Sequence, residues 1–359
     1  MPPTGPPADP AAAKHERTAT RPTSKDVAKL AGVSQSTVSL VHAGKWPGRV
    51  SERTVRAVNE ASAALGYRPN QAARHLRLGT TRTVLLVVPA LTNPFFGAVH
   101  TGASEAAALR DFAVVVFPSP VEAGTERAPF ASPFAAAHTA LDAVLASSMA
   151  YESLAELLAT TGPDPDLPLV MLDSEPGAGP PTVNADVAAG MHDLTTHLLG
   201  LGHRRFGRLV PDIDTWTFTA RENAYRAALH GMPGTRTTTA RTAFTVHDAA
   251  RAAHALLDAA HPPTALVCDD DVLAAGAYKA VRARGLRIPE DISVTGFDDL
   301  LIATVIEPEL TTVRLPAHRL GAAGMSALLD LLDGRRPQDT SLPGELVIRR
   351  STAPPPPTG

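Results

Sequence analysis

The stretch Asp26-Val-Ala-Lys-Leu-Ala-Gly-Val-Ser-Gln-Ser-Thr-Val-Ser39 places two short helical patterns on either side of a single glycine. Over residues 23–31, Val27, Leu30 and Ala31 are expected on one helical face, with Thr23 or Ser24 as the N-cap. Gly32 supplies the chain reversal. Ser34 then caps a second helix from Gln35 to about Val41, whose Val38 and Val41 point inward. Beyond a loop over 44–50 that is rich in Gly and basic residues, Ser51 caps a third helix in which Val55, Val58 and Leu65 repeat at helical spacing, and Gly66 ends it. Three helices of this size bury one small core and leave the N-terminal half of the second exposed. That is the geometry in which a helix-turn-helix unit presents its recognition helix to a DNA major groove. The polar run Gln35, Ser36, Thr37 and Ser39 then faces bases and phosphates, with Thr23 and Ser34 beside it.

Working outward, charge sets this region apart. The whole chain of 359 residues carries a net charge of only -3, yet residues 14–82 hold 13 Lys and Arg against 4 Asp and Glu. From residue 83 onward the balance is 20 against 31. A basic N-terminal fifth on an acidic body suits a module that meets phosphates joined to one that does not.

The residues 26–39 quoted above, followed by Leu65-Gly-Tyr-Arg-Pro-Asn70, closely resemble the headpiece of the LacI/GalR family of transcriptional regulators. The resemblance implies that Gln35 and Ser36 hold the leading base-reading positions and that Tyr67 and Asn70 grip phosphate. Position 40 departs from the pattern: many members carry Arg there to read guanine, whereas Leu40 offers only apolar contact, for instance with a thymine methyl. Pro69 fixes the start of a helical stretch over 70–78 in which Ala72, Ala73 and Leu76 lie between Arg74 and Arg77. The residues alone also allow a plain basic linker. The resemblance implies a hinge helix that pairs across a homodimer and enters the minor groove, with Leu76 wedged into a base step and Ala73 and Arg77 alongside.

From residue 82, short β-branched runs at 84–88, 114–117, 143–145, 169–172, 206–210, 265–268 and 292–295 alternate with Ala- and Leu-rich helical segments. This is a parallel α/β pattern, and ligands in such folds bind at the carboxyl ends of the strands. Asn93, Asp173, Asp270, Asp271, Asp298 and Asp299 lie just past those ends. The body resembles the family's two-lobed, periplasmic-binding-protein-like core in residues 88–96, 201–205, 291–299 and 310–313. By that resemblance Asn93, Phe95, Phe96 and Asp173 line the cleft, Arg221 grips the effector, Asp270 replaces a usual Asn, and Asp298 closes over the ligand. Phe95 and Phe96 can equally be core aromatics, and Arg221 can equally pair with a surface acid. An arginine fork with paired carboxylate acceptors suits vicinal hydroxyls, so a sugar or polyol is the leading effector.

The single cysteine, Cys268, leaves no disulfide framework or multi-thiolate zinc site and points to a reducing, cytoplasmic setting. No apolar run of membrane-spanning length occurs, so neither membrane insertion nor secretion is expected. Asp269-Asp270-Asp271 has no accompanying His ligand pair, and no Gly-x-Ser-x-Gly elbow or phosphate-binding Gly-rich loop is present. Neither a metal, a cofactor nor an enzyme activity is expected. The chain therefore reads as a Pro/Ala-rich disordered tail (1–20), a DNA-binding domain (21–67), a hinge and linker (68–81), an effector-binding and dimerisation core (82–350) and a Pro-rich tail (351–359). Its partners are double-stranded operator DNA, a small-molecule effector and a second copy of itself. No tetramerisation helix is expected after the strand-like segment at 346–349.

Overall fold

The computed structural model describes residues 22–67, 80–118, 141–150, 167–177 and 179–357. The chain divides into two compact units, Met1–Gly79 and Thr80–Gly359.

In the first unit, α1 (Ser24–Ala31), α2 (Gln35–His42) and α3 (Glu52–Leu65) form because each has a polar cap and one apolar stripe. The Thr23 amide and hydroxyl both donate to the Asp26 carboxylate, a capping box that holds Asp26 below the usual carboxylate range. Gly32 ends α1 in the left-handed conformation at φ 65°, which an L side chain adopts only with strain. Ser34 Oγ accepts from the Thr37 amide at 3.1 Å, and Ser51 Oγ from the Thr54 amide at 3.3 Å. Val27, Ala28, Val38, Val41, Val58 and Ala61 form the core. Leu30 corrects the sequence reading, since it is 56% exposed. At about 100° per residue, Val27, Ala31 and Ala28 span one arc and Leu30 falls outside it.

The second unit is built on two parallel sheets. β1 (Thr83–Val88), β2 (Ala113–Pro118), β3 (Ala143–Ser147), β4 (Leu169–Leu172), β5 (Thr182–Ala185) and β11 (Thr340–Leu342) form the first, in the order β11-β5-β4-β3-β1-β2. β6 (Arg205–Pro211), β7 (Arg236–Thr242), β8 (Ala265–Cys268) and β9 (Ser293–Thr295) form the second, in the order β7-β6-β8-β9. Their central strands are buried on both faces, as covered parallel strands must be. α4 (Pro94–Ala108) and α10 (Ala317–Leu332) pack closely together. A Cβ on Gly321 would collide with the Val99 carbonyl, so this crossing needs glycine.

α5 (Val187–Gly200), α6 (Trp216–Leu229), α7 (Val246–Leu257), α8 (Asp271–Ala283) and the short α9 (Leu301–Val305) complete the second lobe. β10 (Thr312–Arg314) pairs antiparallel with β12 (Glu345–Val347), where the chain passes between lobes. Past β12 the chain does not become the loose Pro-rich tail expected from sequence. The Val294 amide donates to the Ser351 carbonyl at 2.9 Å, Ser351 Oγ accepts from the Thr311 amide at 2.8 Å, and buried His203 lies 2.9 Å from the Ala353 carbonyl. Three proline-free residues, 351–353, suffice to add an extended segment beside β9.

Candidate functional site

On the first unit, the structure places Gln35, Ser36 and Ser39 exposed on α2, with Thr37 and Leu40 half-buried. Ser34, exposed at the helix start, lies 2.7 Å from Ser36 Oγ and 2.9 Å from Thr37 Oγ1, so its cap is a small hydroxyl network. Gln35 Nε2 donates to Ser24 Oγ at 2.8 Å, which aims its amide from α1. Thr23 is exposed at the start of α1, where its side chain serves the capping box. Tyr67 packs against His42 with ring centroids 5.6 Å apart and joins the edge of the core. Asn70, Ala73, Leu76 and Arg77 lie outside the described residues.

On the second unit, Asn93, Phe95, Phe96, Asp173, Arg221, Asp270 and Asp298 all line one cavity at the carboxyl ends of the strands. Asn93 caps α4, its Oδ1 accepting from the Phe95 amide at 2.9 Å, while its Nδ2 reaches Asp270 Oδ2 at 3.4 Å. Asp173 follows β4 and Asp298 follows β9, both at positive φ, 51° and 105°. Such strain in non-glycine residues concentrates at functional sites. Arg221 comes from α6, is 5% exposed, donates from Nη1 to the Asp269 carbonyl and lies 3.7 Å from Asp298 Oδ1. Its guanidinium stacks over Phe297 at 4.0 Å and Phe218 at 5.1 Å. The surface-acid alternative for Arg221 is thereby removed. Phe95 and Phe96 serve in both of their readings, as buried core aromatics in edge contact at 5.3 Å and as cavity walls.

The three consecutive acids diverge. Asp269 forms a fully buried, two-pronged ion pair with Arg208, at 2.9 Å and 3.0 Å. Asp270 caps α8 and faces the cavity. Asp271 accepts from Thr312 Oγ1 at 2.7 Å and from the Leu300 amide at 2.6 Å, tying β10 and the start of α9 to α8. Asp299 likewise turns from the cavity, accepting from Arg314 and Arg349. Burial pushes Asp173 up to about 6 against the pull of Arg221, and Asp271 up to about 8. Burial first, and then the negative charge of Asp298, raises Asp270 well above the carboxylate range; burial raises Asp298 too, opposed by Arg221.

Sequence reasoning missed Thr217, Phe218, Phe244 and Asp269 as cavity residues. Thr217 and Phe218 sit one helical turn before Arg221, which is the signal that finds them. The free space is about 30 Å³, enough for a water or two, so the walls meet around their own side chains.

A three-helix helix-turn-helix unit thus shares a chain with a two-lobed, parallel α/β core of periplasmic-binding-protein type. Residues 23–70 match the model of the bacterial regulatory proteins, lacI family, and residues 195–352 that of the periplasmic binding protein-like domain. The chain is 30% identical over 349 residues to the HTH-type transcriptional repressor CytR of Escherichia coli strain K12, covering 94% of this chain and 98% of that one. A transcriptional regulator CelR–cellobiose complex matches with TM-score 0.64 and 28% identity, over 92% of this chain and all of that one (100%). The lac repressor dimer bound to operator and the anti-inducer ONPF matches with TM-score 0.78 and 24% identity, over 92% and 99% of the two chains, a likeness of fold. The chain belongs to the LacI family and is a DNA-binding transcriptional regulator.

Proposed function

We propose that this regulator is a repressor that binds operator DNA as a homodimer and is controlled by a polyhydroxylated small molecule in the interlobe cleft. One observation carries the effector half. Seven residues from separate segments of the chain, named by resemblance to the family's cleft, converge on one buried cavity at the carboxyl ends of the strands. Buried there are an arginine fork and several carboxyl groups, the donor and acceptor set that vicinal hydroxyls satisfy. The CelR relative, solved with cellobiose, supports the same ligand class. On the DNA side, α2 carries Gln35, Ser36 and Ser39 into the major groove, and Thr23, Ser34, Thr37 and Tyr67 secure the phosphates. Residues 68–81 act as hinge and linker, with Asn70 on phosphate and Ala73, Leu76 and Arg77 at the minor groove, and residues 82–350 sense the effector and dimerise. The protein acts in the cytoplasm, where the operator is, and needs no cofactor or catalytic step. The free volume of the cleft requires that the lobes part to admit a sugar. The test is operator binding by the purified protein across a panel of sugars and polyols, with Arg221→Ala beside it. The variant binds operator as the native protein does and loses the effector response.

A further inference from the structure

We infer that the effector carries a cationic nitrogen among its hydroxyls, so that the cleft selects a polyhydroxylated amine over the neutral sugar of the same shape. This rests on the effector reading above and names the class of ligand within it.

The first observation is charge. Among the described residues lining the cavity there are four carboxylic acids, Asp173, Asp269, Asp270 and Asp298, and one cation, Arg221. Arg208 lies behind the wall, holds Asp269 in the fully buried two-pronged pair and also pairs with Glu222, so it is not free for the cavity. Three acids then face one arginine. Counted as side chains, the cleft thus holds two more acids than bases, and each of these acids that ionises lacks a cation of its own. Buried charge without a partner is costly, so a neutral ligand closing the lobes would seal that cost in, whereas a single positive charge removes it.

The second observation is independent of charge counting. Asp298, whose side chain is 9% exposed, has its Oδ1 buried without a hydrogen-bond partner among the described residues, and the cation beside it is Arg221 at 3.7 Å. Arg221 Nε is also buried without a partner. These atoms await groups that the protein does not supply.

The third is the wall. Phe95, Phe96, Phe218 and Phe244 line the same cavity, so aromatic rings, whose faces attract cations, share it with the acids. Phe218 already stacks on one cation, that of Arg221.

Asp270 is the determinant. As the cap of α8 its Oδ1 accepts from the Val272 amide, a task that Asn performs equally well without charge. The carboxylate is therefore not required by the fold. The groups facing it are Asn93 on α4, Asp298 after β9, and its neighbours Asp269 and Asp271. Among the described residues, none of these groups is a cation.

The experiment measures thermal shifts and calorimetric affinities of the full chain at pH 7 for matched pairs: 1-amino-1-deoxysorbitol against sorbitol, glucosamine against glucose, and galactosamine against galactose. At least one amine is expected to bind about tenfold or more tightly than its neutral partner, the equivalent of about 1.4 kcal/mol. In Asp270→Asn, which keeps the helix cap, the preference should fall to about twofold or less. Asp298→Asn provides a second readout should the first variant fold poorly. Neutral members binding as well as their amines would overturn the inference and leave the polyol reading standing. An amine preference that survives in both variants would overturn the assignment to this carboxyl pair. Binding by no member of either series would overturn both readings together.

Discussion

The two candidate sites of this protein place their polar groups in opposite circumstances. On α2, Gln35, Ser36 and Ser39 are exposed, neutral and close together in sequence, and the negative charge they are to meet belongs to the DNA. In the cleft, Arg221, Asp173, Asp270 and Asp298 are buried, ionisable and spread over more than 120 residues. The first surface costs the fold almost nothing and leaves its energetics to salt-dependent association with phosphates. The second draws on the stability of the folded chain, and its energetics appear in pH dependence and in the cost of removing a partner.

That contrast can be broken most sharply at Arg208, which lies outside both ligand surfaces. Arg208→Ala leaves Asp269 buried without its partner and should destabilise the second unit by about 3–5 kcal/mol in urea denaturation. Loss of less than about 1 kcal/mol would mean the buried charges are cheaper than argued. A pH series comes next. Asp173 and Asp271 have folded-state values raised to about 6 and about 8, so the stability they contribute is present below their unfolded value and is lost as pH rises through the folded one. Between pH 6 and 8, Asp271 alone should remove about 2 kcal/mol, at about 1.4 per pH unit, and the melting temperature should fall accordingly. A melting temperature that rises over this interval would contradict the burial account.

On the DNA side the effects are smaller. Leu76→Ala should weaken binding to the specific operator by about 1–3 kcal/mol while binding to random DNA changes little, as gel shifts on both would show. Ser51→Ala removes the α3 cap and should lower the stability of the first unit by about 1 kcal/mol, seen as earlier melting of its helical signal. Equal losses on both DNAs for Leu76, or no change for Ser51, would remove those roles.

The difference between the sites also explains what was legible. α2, α3 and their caps follow from interactions within a few residues, so their apolar spacing and Ser34 and Ser51 were enough to place them. Leu30 failed because an eight-residue helix leaves the choice of buried arc to tertiary packing. The polar strand β7, Arg-Thr-Thr-Thr-Ala-Arg-Thr, escaped notice because an exposed edge strand needs no apolar alternation. In the cleft, the residues carried over by resemblance line one cavity, whereas Phe244 and Asp269 have no local signature: only the folded chain brings them to Arg221. The segment 351–357 looked like a tail because proline dominates it, yet Ser351 and Ala353 precede the prolines and make its contacts.

In the proposed function, one chain couples operator binding to occupancy of the cleft. The most direct test of that coupling is genomic footprinting of the purified protein with and without a panel of sugars, polyols and their amines, run in parallel on Arg221→Ala. The account predicts a protected palindromic site whose occupancy changes with at least one compound for the native protein and with none for the variant. A site whose occupancy ignores every compound, or a variant that responds as the native protein does, would contradict it.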